Sequence, residues 1–261
     1  MRNHRHPMTR QNQNHQSGSD RLGRGQHKNN PVILLAENAP EVRQVLEKGL
    51  QNNCRFLFAS SGNEALKRFN EASPDLVLLD VELPGIPSWE VCRQVLDKTR
   101  VPIVFLSTSH HEDDAIRALR LGAVDYVTTT TAPQILLART RAALRRKEAF
   151  LPEAMPQVYD DGYLQVNLAA QEVRVEGEAV SLTTIEYNLL VYLLKKANQI
   201  CSAEQILSQI WGAGYEASLN YVHLYVGRLR RKIEHAPNQP KYLVNVYGKG
   251  YYFRLNPAPS M

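Results

Sequence analysis

Between positions 31 and 147, short continuous apolar runs alternate with stretches whose apolar residues recur every three or four positions. The runs at 32–36, 54–59, 76–80, 102–107 and 124–128 read as strands, and the periodic stretches at 40–51, 62–72, 89–98, 112–121 and 132–147 read as helices. Strands that are apolar on both faces and separated by helices predict a parallel sheet covered on both sides. Ser61 and Glu64 have the spacing of a capping box at the start of the second helix. The pattern changes after 148–157, where two prolines break both periods and mark a linker. Residues 163–168, 172–176 and 179–182 then alternate as short antiparallel strands. Capping-box spacings at Thr183/Glu186 and Ser202/Gln205 start two helices, and a third spans 218–234. In that third helix Val222, Val226, Leu229 and Ile233 form one apolar stripe. Tyr221, Tyr225, Arg228 and Lys232 line the opposite face, flanked by Asn220, His223, Arg230 and Arg231. Gly227 sits mid-helix at a cost of about 1 kcal/mol against Ala, as expected where a backbone must approach something closely. Runs at 242–246 and 251–255, joined by Tyr247-Gly248-Lys249-Gly250, predict a hairpin with a basic tip.

At 261 residues and 43% hydrophobic content, the chain suits two domains, with 31–147 and 158–256 as their limits. No apolar run approaches ~18 residues and the start is polar, so a soluble, cytoplasmic protein with no membrane association is expected. The net charge of +5 changes the picture less than it promises. Six basic residues and one acid precede Pro31, and beyond it the two signs balance. The segment 1–30 is nearly free of apolar residues and reads as a disordered basic tail. Its histidines, His4, His6, His15 and His27, are irregularly spaced and read as solvated. Cys54, Cys92 and Cys201 stand among apolar neighbours and read as buried reduced thiols. The local cluster Arg228, Arg230, Arg231 and Lys232 therefore says more about partners than the total does.

A helix that fits a major groove, followed by a hairpin that reaches the neighbouring backbone, suits the reading of double-stranded DNA. Four ordered blocks carry a family resemblance: Leu182 to Tyr187 with Leu189 and Leu190; Ser202 to Leu207 with Trp211 and Gly212; Val222 to Lys232; and Gly248 to Phe253. Together they resemble the winged-helix effector domain of OmpR/PhoB-type response regulators. The resemblance implies that Arg228 reaches base edges and that Tyr221 and Tyr225 stand on the reading face. Arg230, Arg231 and Lys232 would anchor to phosphate, with Asn220, Tyr247 and Lys249 completing the DNA surface. Tyr247 stands where many relatives have arginine, so fewer wing contacts are expected. Trp211 is expected in the core, and the loop 212–217 corresponds to the family's RNA polymerase contact.

The first domain is similar to a receiver, a flavodoxin-like five-stranded fold, through Leu78 to Gly85, Glu90 to Arg93 and Leu121 to Tyr126. The resemblance makes Asp80 the phosphoacceptor and Tyr126 the switch aromatic. It also asks for two acids after the first strand, a hydroxyl after the fourth, and Lys-Pro after the fifth. Glu37 and Ser107 are kept, but Asn38 replaces an acid, Thr129 replaces the lysine, Thr130 replaces the proline, and Thr108 stands where a small residue is usual. A weak or absent magnesium site at Glu37 and Asp80 follows, and no other cofactor or enzyme activity is expected. Arg117, Asp125 and Arg139 match the family's dimer face, where Ile135 adds apolar character, so a homodimer is expected. The expectation is an atypical receiver and a transcription regulator working independently of Asp80 phosphorylation. Two alternatives stay open: conventional phosphorylation of Asp80 by a histidine kinase, and an adaptor binding other regulatory proteins through the receiver.

Overall fold

A computed structural model describes residues 30–50, 53–109, 111–130, 132–147, 158–212, 215 and 218–257. The tail and linker expected at 1–30 and 148–157 lie outside them, apart from Asn30.

Five strand–helix units open the chain: β1 Val32–Ala36, α1 Pro40–Gly49, β2 Arg55–Ala59, α2 Gly62–Ala72, β3 Leu76–Asp80, α3 Ser88–Lys98, β4 Ile103–Ser107, α4 Glu112–Leu121, β5 Asp125–Thr128 and α5 Pro133–Lys147. All pairings are parallel and the order is β2-β1-β3-β4-β5. The central strands β1, β3 and β4 are buried on both faces, as their uninterrupted apolar runs require. Their carboxyl ends deliver Glu37, Asp80 and Ser107 to one edge, the position where doubly wound sheets place chemistry.

The second half contains β6 Val158–Asp160, β7 Leu164–Asn167, β8 Glu172–Val175, β9 Glu178–Ala179, α6 Thr184–Lys195, α7 Ala203–Trp211, α8 Leu219–Ile233, β10 Leu243–Val246 and β11 Gly250–Phe253. Strands β6 to β9 form one antiparallel sheet, and β10 and β11 form the wing hairpin. The short edge strand β6 escapes a periodicity reading because it spans three residues and leaves Val158 exposed. The run expected at 179–182 contributes only Ala179 to β9. The wing turns back at Gly250, where a Cβ would fall 2.0 Å from the Cys201 carbonyl oxygen, so only glycine fits.

Helix α6 is apolar almost all round and is buried from Thr184 to Leu194. Of two capping features, one follows its spacing and one departs from it. Ser202 and Gln205 satisfy each other's backbone N–H groups, whereas the Glu64 carboxylate passes Ser61 and accepts from Ser60. One apolar cluster packs β3 against α2 and α3. The other runs without a break from the α1 and α5 side of the receiver sheet into the second domain.

Candidate functional site

Helix α8 carries the expected stripe: Val222, Val226, Leu229 and Ile233 are all buried. The opposite face is where structure and sequence reading part. Asn220, His223 and Arg231 are exposed, as are Tyr247 (97%) and Lys249 at the wing tip. Arg230, expected to anchor phosphate, donates from Nε and Nη2 to the Leu243 carbonyl, at 3.0 and 2.6 Å, and so ties α8 to the wing. His223 Nδ1 lies 2.6 Å from the Tyr251 hydroxyl, a second tie between the same elements. Gly227 has open space within 4 Å of where its Cβ would sit, so no neighbour in this structure requires a glycine there.

Tyr225 and Arg228 do not face solvent. Tyr225 is 0% exposed, and its hydroxyl donates to the carbonyl of Ala123 in the receiver. Arg228 donates to the Leu119 carbonyl at 3.0 Å and to the Arg120 carbonyl, capping the carboxyl end of α4 with a cation. Gly122 makes the approach possible. It ends α4 in the left-handed conformation at φ 111°, and a Cβ there would lie 2.7 Å from Thr183 Cγ2 and 3.2 Å from Arg228 Nη2. A third arm comes from α7 and the loop after it. Trp211 Nε1 donates to the Val124 carbonyl at 3.3 Å, and the Tyr215 hydroxyl donates to the fully buried Asp125. Trp211 thus belongs to the core, as expected, and also spans the two domains.

The same seam holds Glu186. Its carboxylate meets Arg228 Nε and Lys232 Nζ, each at 2.7 Å, and accepts from the Thr183 N–H at 2.8 Å. Burial opposes its charge, yet Arg228 and Lys232 hold its pKa below the ordinary carboxylate value. Lys232, expected to meet phosphate, is engaged here and with the Ser181 carbonyl. Tyr221 is half-buried beside Trp211 and Tyr215, and burial raises the pKa of its hydroxyl.

The surface expected to form a homodimer is largely the surface just described. Arg139 Nη1 lies 3.0 Å from both Asp125 carboxylate oxygens, and its guanidinium stacks 4.2 Å over Tyr215. The second domain of the same chain therefore covers this part of the expected dimer face. Arg117 is stacked 4.4 Å over Trp89, and Ile135 is exposed.

The pocket at the strand ends is sparser. Asp80 Oδ1 accepts the Glu82 N–H at 2.9 Å, and burial raises its pKa. Glu37 accepts the Ala39 N–H, and its pKa is raised by burial and by the Asp80 charge. Asn38 and Thr108 are exposed. Ser107 is buried, and its hydroxyl accepts the Ser109 N–H at 3.2 Å. Thr129 folds onto the Ser107 carbonyl through N–H and hydroxyl, at 2.7 and 3.1 Å. Tyr126 is turned inward, its hydroxyl 3.3 Å from the Ser109 carbonyl. Two mutually repelling carboxylates fit a magnesium ion held by Glu37 and Asp80 alone, with water completing its shell; among the described residues no third acid or imidazole joins them. Such an ion would supply charge neutralisation to an incoming phosphoryl group.

Residues 33–141 match the family described as "Response regulator receiver domain", and residues 177–253 match "Transcriptional regulatory protein, C terminal". The DNA-binding response regulator MtrA of Mycolicibacterium smegmatis is 35% identical over 220 residues, covering 84% of this chain and 95% of the relative. The transcriptional regulatory protein AfsQ1 of Streptomyces coelicolor is 36% identical over 228 residues, covering 87% and 99%. Among solved structures, a variant of RitR superposes with a TM-score of 0.69 at 25% identity, covering 85% of this chain and 98% of that one. A parallel receiver sheet ending in Asp80, joined to a winged helix and matched along most of its length by such relatives, makes the chain a member of the OmpR/PhoB-type family of DNA-binding response regulators.

Proposed function

We propose that this response regulator is a sequence-specific transcription regulator whose DNA-reading face is withheld by its own receiver and released without an acyl phosphate at Asp80. The observation that carries the reading is the commitment of Tyr225 and Arg228 to the carbonyls of Ala123, Leu119 and Arg120. An arginine that caps α4 cannot at the same time reach guanine O6 and N7. DNA binding therefore requires α8 to leave the receiver, and operator affinity falls by the fraction of molecules that are open. Once open, α8 enters the major groove with Arg228 reading bases, Asn220, Arg231 and Lys232 meeting backbone, and the wing adding Lys249. Opening also uncovers Asp125 and Arg139, so a homodimer through α4, β5 and α5 forms only in the open state, on repeated half-sites. Contact with RNA polymerase belongs to the loop between α7 and α8.

The loss of one metal-site charge and of the lysine cation removes much of the electrostatic stabilisation phosphoryl transfer depends on. Asp80 with the Ser107 hydroxyl still favours a second reading, conventional phosphorylation by a histidine kinase. Incubation with acetyl phosphate and magnesium, resolved on a phosphate-affinity gel, separates the two. No shifted band is expected, and Asp80→Ala is expected to bind operator as the parent does. A shifted band absent from Asp80→Ala, with tighter operator binding by the modified form, establishes the conventional reading instead. No helix among the described residues is long and apolar enough to cross a membrane; we place the protein in the cytoplasm with the DNA it reads.

A further inference from the structure

Beside the α4–α8 contact, along the same amino-terminal edge of the receiver sheet, the two domains also meet at the loop before β4. The carbonyl of Arg100 accepts the Thr184 hydroxyl, and Arg100 Nη1 donates to the Gln171 carbonyl at 2.6 Å. A cavity of about 450 Å³ opens there. Its receiver wall comes from the ends of α2 and α3 and the loops that follow them. Its effector wall comes from the β7–β8 turn and the first turn of α6.

The lining has an unbalanced charge: Lys98 and Arg100 contribute two cations, and no acid among the described residues lines the cavity. Neither cation has a carboxylate within ion-pair distance among the described residues; Glu186, whose charge reaches Arg100, is already engaged by Arg228 and Lys232. The Arg100 guanidinium lies 4.9 Å over the Tyr187 ring, and burial depresses its pKa, the mark of a cation short of counter-charge. The interior offers buried apolar surface from Phe69, Pro74 and Tyr187, while Lys98 and Asn70 stand exposed at the mouth. The volume falls in the range of small-molecule sites.

We propose that this seam cavity is a receptor site for a small organic anion, whose carboxylate or phosphate head meets Lys98 and Arg100 and whose apolar body lies against Phe69 and Tyr187. Because the walls belong to different domains, the complete site exists only while the domains are together. The ligand therefore binds the closed form and opposes DNA binding, and by linkage DNA expels the ligand. This gives a receiver short of phosphoryl-transfer groups a chemical input of its own. The coupling to DNA rests on the closed-form reading above, whereas occupancy of the cavity does not.

The test uses the full-length protein with benzoate and phenyl phosphate as probes, titrated by calorimetry, and separately measures operator binding by fluorescence anisotropy. At least one probe is expected to saturate a single site, with affinity falling about tenfold in Lys98→Gln and further in Lys98→Glu; Lys98 is exposed, so both variants fold. At a probe concentration ten times its dissociation constant, operator affinity is expected to fall about tenfold. Absence of saturable binding by both probes, or binding indifferent to both Lys98 variants, overturns the site. Lys98-dependent binding that leaves operator affinity unchanged keeps the site and overturns its coupling to the closed form.

Discussion

The two regions of the receiver that could govern DNA binding are built very differently. Around Asp80, side chains turn to their own loops or to the adjacent strand end: Glu37 to Ala39, Asp80 to Glu82, and Thr129 to Ser107. Around Gly122, a few residues connect elements far apart in the chain, with Tyr225, Trp211, Tyr215 and Arg228 each donating across the domain boundary. A net worth of about 1 kcal/mol per hydrogen bond makes the second region worth several kcal/mol, while the first has few charges with which to oppose it. Under the function proposed above, the seam between domains, rather than the phosphoacceptor pocket, is where control of DNA binding would lie.

Removing the charge at the centre of the seam has the largest expected effect. Glu186→Gln leaves Arg228 and Lys232 facing a neutral amide, and urea unfolding is expected to show a loss of about 3 kcal/mol. The sign of the pH dependence follows from the depressed pKa of Glu186. Its contribution is complete above the unfolded carboxylate pKa and is lost as pH falls through the lower folded value. Unfolding measured on either side of that range is expected to show a smaller acid-side decline in Glu186→Gln than in the parent.

A wedge at the seam comes next. Gly122→Val adds a side chain that meets Thr183 and Arg228 at a left-handed position, and is expected to raise operator affinity about tenfold, or about 1.4 kcal/mol, in anisotropy titrations. Unchanged or weaker operator binding in a folded Gly122→Val protein would mean that the seam does not hold the reading helix back. Deleting one hydroxyl is gentler. Tyr215→Phe removes the bond to Asp125 and is expected to raise operator affinity about fivefold, equivalent to about 1 kcal/mol. Smallest is Gly227→Ala, which meets no neighbour and is expected to stabilise α8 by somewhat under 1 kcal/mol in thermal unfolding. A simultaneous loss of operator affinity would place DNA backbone against Gly227 in the open form.

Much of the fold was legible because the signals that specify it are local. Continuous apolar runs marked β1 to β5 to within a few residues, and the spacing of Val222, Val226, Leu229 and Ile233 fixed which side of α8 is buried. The substitutions at Asn38 and Thr129 were likewise readable one position at a time. What sequence reading missed is the covering of the other side of α8. Tyr225 and Arg228 meet carbonyls about a hundred residues earlier in the chain, and carbonyls carry no side-chain signature. Glu186 was visible only as a capping residue, because its two cationic partners lie more than forty residues away. Asp125 and Arg139 were expected on a homodimer face, and in this structure they meet Tyr215 of the same chain. Polar and aromatic residues at helical spacing identify a contact face, but the partner on that face depends on how the two domains lie.

Hydrogen exchange of the unphosphorylated protein, with and without its operator, reports whether α8 leaves the receiver when it takes up DNA. Release of α8 predicts slower exchange in α8 on DNA and, at the same time, faster exchange in residues 119–125, whose side of the seam has been vacated. Slower or unchanged exchange in both segments would contradict it, because the reading helix would then be engaging DNA while still seated on the receiver.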